Sequence, residues 1–249
     1  MPEISIQAEK ILTLGSFPVT NSLIMSVVVL VGLVVVSAIV YFKLKIIPGK
    51  LQSIAEMILE GVMDFMDTIL HNRKTTELYL PLIGTIFFFI LFSNWSGLIP
   101  GLSALGINEI SETGKEMFVP ILRAPSSDLN FTLALGIISI VMVNVLGVSV
   151  IGLGAHLKKF FNFSGPIEFF VGILELISEF VKMISLAFRL FGNVFAGEVL
   201  LTVIAILAPY ILPLPFLLME IFVGFIQALI FSVLTLVFIG MAVEEHHAH

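Results

Sequence analysis

Residues Ser185 to Leu200 read SLAFRLFGNVFAGEVL, a run that sets Arg189, Asn193 and Glu198 inside otherwise apolar sequence. Working outward, the same apolar pattern extends from Pro166 to Leu207. As one helix at 1.5 Å per residue it would be about 63 Å long, twice a hydrocarbon core of about 30 Å. It must therefore either break near Gly192 and Gly197 or lie strongly tilted. An arginine at the centre of a membrane helix costs roughly 2.5 to 3.5 kcal/mol on insertion scales, so such residues face a protein interior or a water-filled cavity. The plainer alternative is that Arg189 snorkels to an interface or makes a structural ion pair. At about 100° per residue, Glu168, Glu175, Ser178, Lys182, Ser185 and Asn193 fall within about 60° of Arg189, while Glu198 points about 180° away. One helix thus offers two polar faces.

The rest of the composition agrees with a membrane setting. Hydrophobic residues make up 58% of 249, with mean hydropathy +1.13, against roughly 45 to 50% in soluble domains. The fold class expected is an all-α polytopic membrane protein. A net charge of −6 without a basic cluster argues against a nucleic-acid partner. The absence of cysteine excludes disulfides, iron–sulfur clusters and thiolate metal sites. No cofactor is expected. His246, His247 and His249 form a weak metal-binding pattern, better read as a flexible chain end.

In order, Met1 to Thr20 lacks the basic stretch and apolar run of a cleavable signal, so residues 1–21 are expected to be an external segment before a single membrane domain, 22–249. Ser22 to Phe42 is a first span of about 21 residues. Lys43, Lys45 and Lys50 follow it and place that end inside. Leu51 to Leu70 carries apolar Ile54, Ile58, Val62, Phe65 and Ile69 at spacings of three or four, interrupted by Glu56, Glu60, Asp64 and Asp67. This predicts an amphipathic helix on the inner surface with a solvated acidic face. Leu78 to Ile99 is the second span, ending in SNWSGLIPG. Trp95 suits an interfacial belt, and Asn94 and Ser96 either line a polar vestibule or simply cap the helix end. Gly101 to Ser127 is expected to be an unpatterned external loop. Asp128 or Ser127 is a candidate N-cap for the third span, Phe131 to Gly154, which carries Asn144 and ends at His156, Lys158 and Lys159. Pro209, Pro213 and Pro215 separate the long Pro166–Leu207 arm from a last arm, Phe216 to Val243, where Glu220 and Gln227 share a face two turns apart with Gly224 between them. Five membrane-crossing segments, N-terminus out, put most Lys and Arg inside; Lys10, Lys115 and Arg123 lie outside. No internal repeat points to a duplicated transporter.

The run SLAFRLFGNVFAGE, followed by an apolar helix carrying FIQALIFSVLT and the ending MAVEEH, closely resembles subunit a of the rotary F-type ATP synthases. The resemblance implies two long, nearly horizontal C-terminal helices curving against a rotor ring of c subunits, with peripheral-stalk b subunits, membrane lipid and protons as the other partners. It implies two offset aqueous half-channels that meet at a rotor carboxylate, with Arg189 between them. Residue by residue, Glu198 and Glu220 match the proton-handling positions of the outer half-channel. Asn193 and Gln227 orient water or hold Arg189 by hydrogen bonds. Glu175, Ser178 and Lys182 match the inner polar face, although Glu175 and Lys182 could instead neutralise one another. Asp128 and Asn130 lie in a PSSDLN segment that resembles the family's outer proton path.

Arginine suits the separating role because it stays protonated in a poor solvent where lysine does not. The chain has no G-x-x-x-x-G-K-[ST] phosphate loop, so ATP itself would be made elsewhere. Two other readings compete: a stand-alone channel, which would conduct when reconstituted alone, and a non-conducting anchor, which would tolerate Arg189→Ala. Protons are the default ion. A bacterial inner membrane is the expected location, with an organelle-encoded subunit as the alternative.

Overall fold

The computed structural model describes residues 8–14, 17–99, 101, 105–110 and 116–244; the C-terminal histidines and Lys115 lie outside this set. Seven α-helices, α1 Asn21–Phe42, α2 Lys50–Leu70, α3 Arg73–Ser96, α4 Leu129–Ile151, α5 Leu153–Phe160, α6 Pro166–Leu207 and α7 Pro213–Glu244, carry nearly all of the described chain. Five of them, α1, α3, α4, α6 and α7, are long and apolar enough to cross a membrane. The expected all-α polytopic architecture is borne out.

Local chemistry sets each helix. Thr20 caps α1, its hydroxyl accepting from the Leu23 amide at 3.3 Å; the buried positions of α1 all lie between Asn21 and Val29, and the remainder offers Val and Leu outward, as lipid requires. The α2 helix ends at His71, the only non-glycine residue with positive φ among those described (52°), in the left-handed conformation that often closes helices. Asn72 then caps α3, accepting from the Lys74 amide at 3.1 Å. Arg73 reaches back to Asp64 and Asp67 at 2.9 and 2.6 Å, so the acidic face of α2 is partly a clasp holding the α2–α3 turn. Gly152, at φ 89°, divides α5 from α4. The third span thus stops at Ile151 instead of running on to Gly154, because a glycine conformation incompatible with helix intervenes.

The core forms where α7 packs against α3, α4 and α6. Ile90, Leu186, Leu190, Val194, Ala228 and Phe231 fill its centre, and the Ser139 and Thr235 hydroxyls hydrogen-bond across it at 2.7 Å. Gly136 lets α4 approach α6 closely: a Cβ there would sit 2.9 Å from the Met183 carbonyl oxygen. The α6 helix is unbroken through Gly192 and Gly197 over 42 residues. Of the two alternatives for this arm, the break is excluded and the tilt remains.

The outer end differs from expectation. Gly101 to Ser127 is not an unpatterned loop: β3 (Gly106–Ile110) and β4 (Glu116–Pro120) form an antiparallel hairpin with Gly106 opposite Pro120. A second hairpin, β1 (Lys10–Leu14) with β2 (Phe17–Thr20), precedes α1. Each is a strand pair of about one turn's pattern, too short for alternation to stand out from coil. The Asn21 side chain donates to the Pro120 carbonyl at 3.2 Å and joins the start of α1 to β4.

Candidate functional site

Polar side chains gather at three levels along α6. At its inner third, Glu175 pairs with Lys159 of α5 at 3.0 Å and with Lys182 at 3.8 Å, and Lys182 pairs with Glu179 at 2.8 Å. Glu179 also accepts from Asn144 Nδ2 of α4 at 3.2 Å, and Asn144 Oδ1 faces His156 Nε2 at 2.9 Å. Because Asn144 Oδ1 can only accept, His156 must donate through Nε2. Gly172 brings α5 onto α6 by leaving its face open to the Phe160 carbonyl. The result is a charge-matched network linking three helices. Ser178 is half-buried beside it.

Arg189 stands in the middle, exposed on the α6 surface with its guanidinium donating to Ser185 at 3.4 Å. No hydrogen bond joins it to Asn193 or Gln227, which leaves the water-orienting alternative for these amides. Asn193 is exposed one helical turn further along α6. Gln227 is buried on α7 and lines a shallow cleft together with Arg189, Leu186, Leu190, Ile230 and Phe231. At 1.5 Å per residue Arg189 lies about 10 Å along the axis from Lys182 and about 14 Å from Glu198.

The outer level comprises Glu220, Glu198 and the segment leading into α4. Glu220 on α7 is only 5% exposed. Its carboxylate lies directly against Gly197 of α6, in space that any Cβ would occupy. No ion pair reaches it among the described residues. Glu198, by contrast, faces Arg123 with Nε–Oε1 and Nη2–Oε2 both at 3.3 Å. Asp128 caps α4, its Oδ1 accepting from the Asn130 amide at 2.9 Å, while Oδ2 accepts from Ser22 of α1 at 2.7 Å. Both oxygens are thus occupied in tying α1 to the start of α4, and the Asn130 side chain is exposed. Asn94 and Trp95 donate to the Gly224 and Ile221 carbonyls of α7 at 2.8 and 3.0 Å. Trp95 thus clamps α3 to α7 through its N–H.

Arg123, Glu179, His156 and Lys159 were not singled out as site residues from sequence. Glu179 sits about 80° from Arg189 on the helical wheel, outside the polar sector that the periodicity defines, yet it turns toward α4. The signal for Arg123 was only its position two residues before the PSSD turn.

These features define a multi-pass helical membrane protein that carries one exposed guanidinium between an inner ion-pair network and an outer pair of carboxylates. Comparison with known proteins makes this specific. Residues 22–240 match the family model described as ATP synthase A chain. The chain is 31% identical to the ATP synthase subunit a of Moorella thermoacetica over 241 residues, covering 97% of this chain and 99% of that protein. It is 34% identical over 233 residues to the chloroplastic ATP synthase subunit a of Stigeoclonium helveticum, covering 94% and 86%. Against the subunit a of Gloeobacter violaceus it is 37% identical over 210 residues, covering 83% and 77%. The chain belongs to the ATP synthase A chain family, as a membrane subunit and not the catalytic part.

Proposed function

We propose that this chain is the stator subunit of the Fo sector, supplying two proton half-channels that open on opposite sides of the membrane and meet at a carboxylate of a rotor ring. The observation that carries the reading is Arg189, exposed on an apolar helix surface between the inner and outer polar levels. A permanent cation there needs an anionic partner in the membrane, and the described chain offers it none within ion-pair range. A ring of c subunits presenting carboxylates against α6 and α7 would supply it. At about 4 Å and an effective dielectric near 20, such a pair is worth roughly 4 kcal/mol before desolvation. Approach to Arg189 would thus favour release of a rotor proton, and the same charge opposes a proton slipping straight across.

In this account Glu220 and Glu198 form the outer half-channel with Asn193 and Gln227 orienting water, and Asp128 and Asn130 stand near its mouth. Glu175, Ser178 and Lys182 frame the inner exit. Peripheral-stalk b subunits and lipid would cover the remaining apolar faces of what acts as a single membrane domain, with the hairpins and residues 1–21 outside. The membrane is that of a bacterial cell, with an organelle's energy-transducing membrane as the alternative. Moving one charge through 100 mV is worth about 2.3 kcal/mol, so several protons must be summed for each ATP made elsewhere in the complex.

The test is ATP-driven acidification of inverted membrane vesicles whose complexes carry Arg189→Ala, with assembly measured in parallel. Loss of pumping in assembled complexes is expected; pumping at the parental rate would rule the half-channel reading out.

A further inference from the structure

We propose that the wedge between α2 and the α3–α7 pair binds one anionic phospholipid, its acyl chain in an apolar cavity beside Gly61 and its headgroup at Lys43, Lys45 and Lys50. The site goes beyond the half-channel reading and stands independently of it.

The cavity has a volume of about 270 Å³, where an apolar cavity of about 150 Å³ already takes up benzene. It exists because α2 packs by its second half. Met66 joins Tyr79 and Ile83 of α3 and Leu236 and Ile239 of α7 in a buried cluster, while Ile54, Met57 and Ile58 nearer its start are exposed. The space left is bounded by Gly61 and Phe65 of α2, Phe87 of α3, and Phe225 and Leu229 of α7. No charged residue lines it, and the hydroxyl of its one polar lining residue, Ser232, is itself buried, so the occupant there is hydrocarbon. Gly61, Phe65 and Phe225 are exposed. The cavity therefore opens between an amphipathic helix and two spans, where the boundary of the acyl layer lies. Gly61 keeps it open. Glycine within a helix is less favourable than alanine, and no close approach demands this one, since an added Cβ would meet no atom within 4 Å.

The matching charge lies at the start of α2. Lys43, Lys45 and Lys50 are exposed, and none is in an ion pair among the described residues. Lysines at a membrane surface attract anionic headgroups. Lys45 is fixed beside the first turn of α2, because the Gln52 side chain accepts from its N–H at 2.9 Å and donates to its carbonyl at 3.0 Å. Gly61 is eleven residues beyond Lys50, about 16 Å along the axis and about 20° around it. An acyl chain crosses about half of a hydrocarbon core of about 30 Å, or about 15 Å. A headgroup at the lysines thus places its chain end in the cavity. The acids of α2 do not oppose this: Glu56 and Glu60 stand about 140° and 100° from Gly61, and Asp64 is paired with Arg73 at 2.9 Å.

The experiment reconstitutes the assembled complex in phosphatidylcholine vesicles with a trace of phosphatidylglycerol that carries a diazirine near the end of one acyl chain. Labelled peptides are mapped after illumination. Bulk lipid is calibrated on Val31, Val34 and Val36, exposed on α1. Labelling of the peptides carrying Phe65 and Phe225 is expected to exceed the α1 level at least fivefold, and phosphatidylcholine bearing the same diazirine should label them at least threefold less. Gly61→Leu, which fills the cavity, should lower their labelling at least fivefold and leave that of α1 unchanged. Replacing Lys43, Lys45 and Lys50 together by glutamine should abolish the preference for phosphatidylglycerol. Labelling at the α1 level, which is also the result if a protein segment of the complex covers the wedge, overturns the proposal. So does labelling undiminished by Gly61→Leu, or equal labelling by the two lipids. If Gly61→Leu does not assemble, Gly61→Ala decides, with a twofold fall as the threshold.

Discussion

Acidic groups border both ends of α6 but are treated differently there. On the inner side Glu175 and Glu179 each meet a lysine, and Asn144 and His156 extend the same network into α4 and α5. On the outer side Glu198 is matched by Arg123, while Glu220 is packed against a glycine with no cation beside it among the described residues. Charge matching fastens helices together, since separating any partner exposes another. A buried carboxyl without a partner contributes little to fastening, and it is the kind of group whose protonation state can change at low cost to the fold. The contrast separates groups that hold the protein from groups that would work in it.

The sharpest way to break this contrast is Gly197→Ala. Its new methyl would occupy the space of the Glu220 carboxylate, while alanine favours the helix by up to about 1 kcal/mol. Pumping is expected to drop at least fivefold with thermal stability unchanged or slightly raised, measured by vesicle acidification and by unfolding of the solubilised complex. Equal pumping would mean that the position of the Glu220 carboxylate is immaterial.

Next in size is Asn94→Ala, which removes a buried hydrogen bond from α3 to the Gly224 carbonyl of α7, a carbonyl that keeps its helical partner. A loss of about 1 kcal/mol is expected, read as a lowered unfolding temperature. Asn144→Ala unlinks His156 from Glu179 at a half-buried site; about 1 kcal/mol is expected, with pumping retained within about twofold if the inner network serves mainly to fasten. The smallest effect lies at the α2–α3 turn. The Thr76 hydroxyl and the Arg73 guanidinium hold the Asp67 carboxyl below the usual aspartate range. Because its folded-state value is depressed, its stabilisation is complete above the ordinary value of about 3.9 and fades as pH falls below that. Amide exchange at the turn should rise selectively below about pH 4, and in Asp67→Asn that pH dependence should be absent.

Much of this architecture was legible in the sequence because it depends on local pattern. Long apolar runs gave five spans, spacings of three and four gave the amphipathic α2, and prolines marked the limits of α6. What escaped depends on partners far away along the chain. Arg123 and Glu198 are 75 residues apart, and Trp95 and Ile221 are 126 apart. Neither pairing leaves a periodic trace. The hairpins at the outer end were too short to rise above coil, and Glu179 was passed over because its orientation is set by α4, not by alignment with Arg189. Gly197 is visible as a glycine, but only the packing of α7 shows that the missing Cβ is the space Glu220 fills.

The most direct test of the central claim sets Glu220→Gln beside Glu179→Gln in inverted vesicles matched for assembled complex, with ATP-driven acidification as the readout. The account predicts less than a tenth of parental pumping for Glu220→Gln and at least half for Glu179→Gln. Equal rates, or the reverse order, would contradict it.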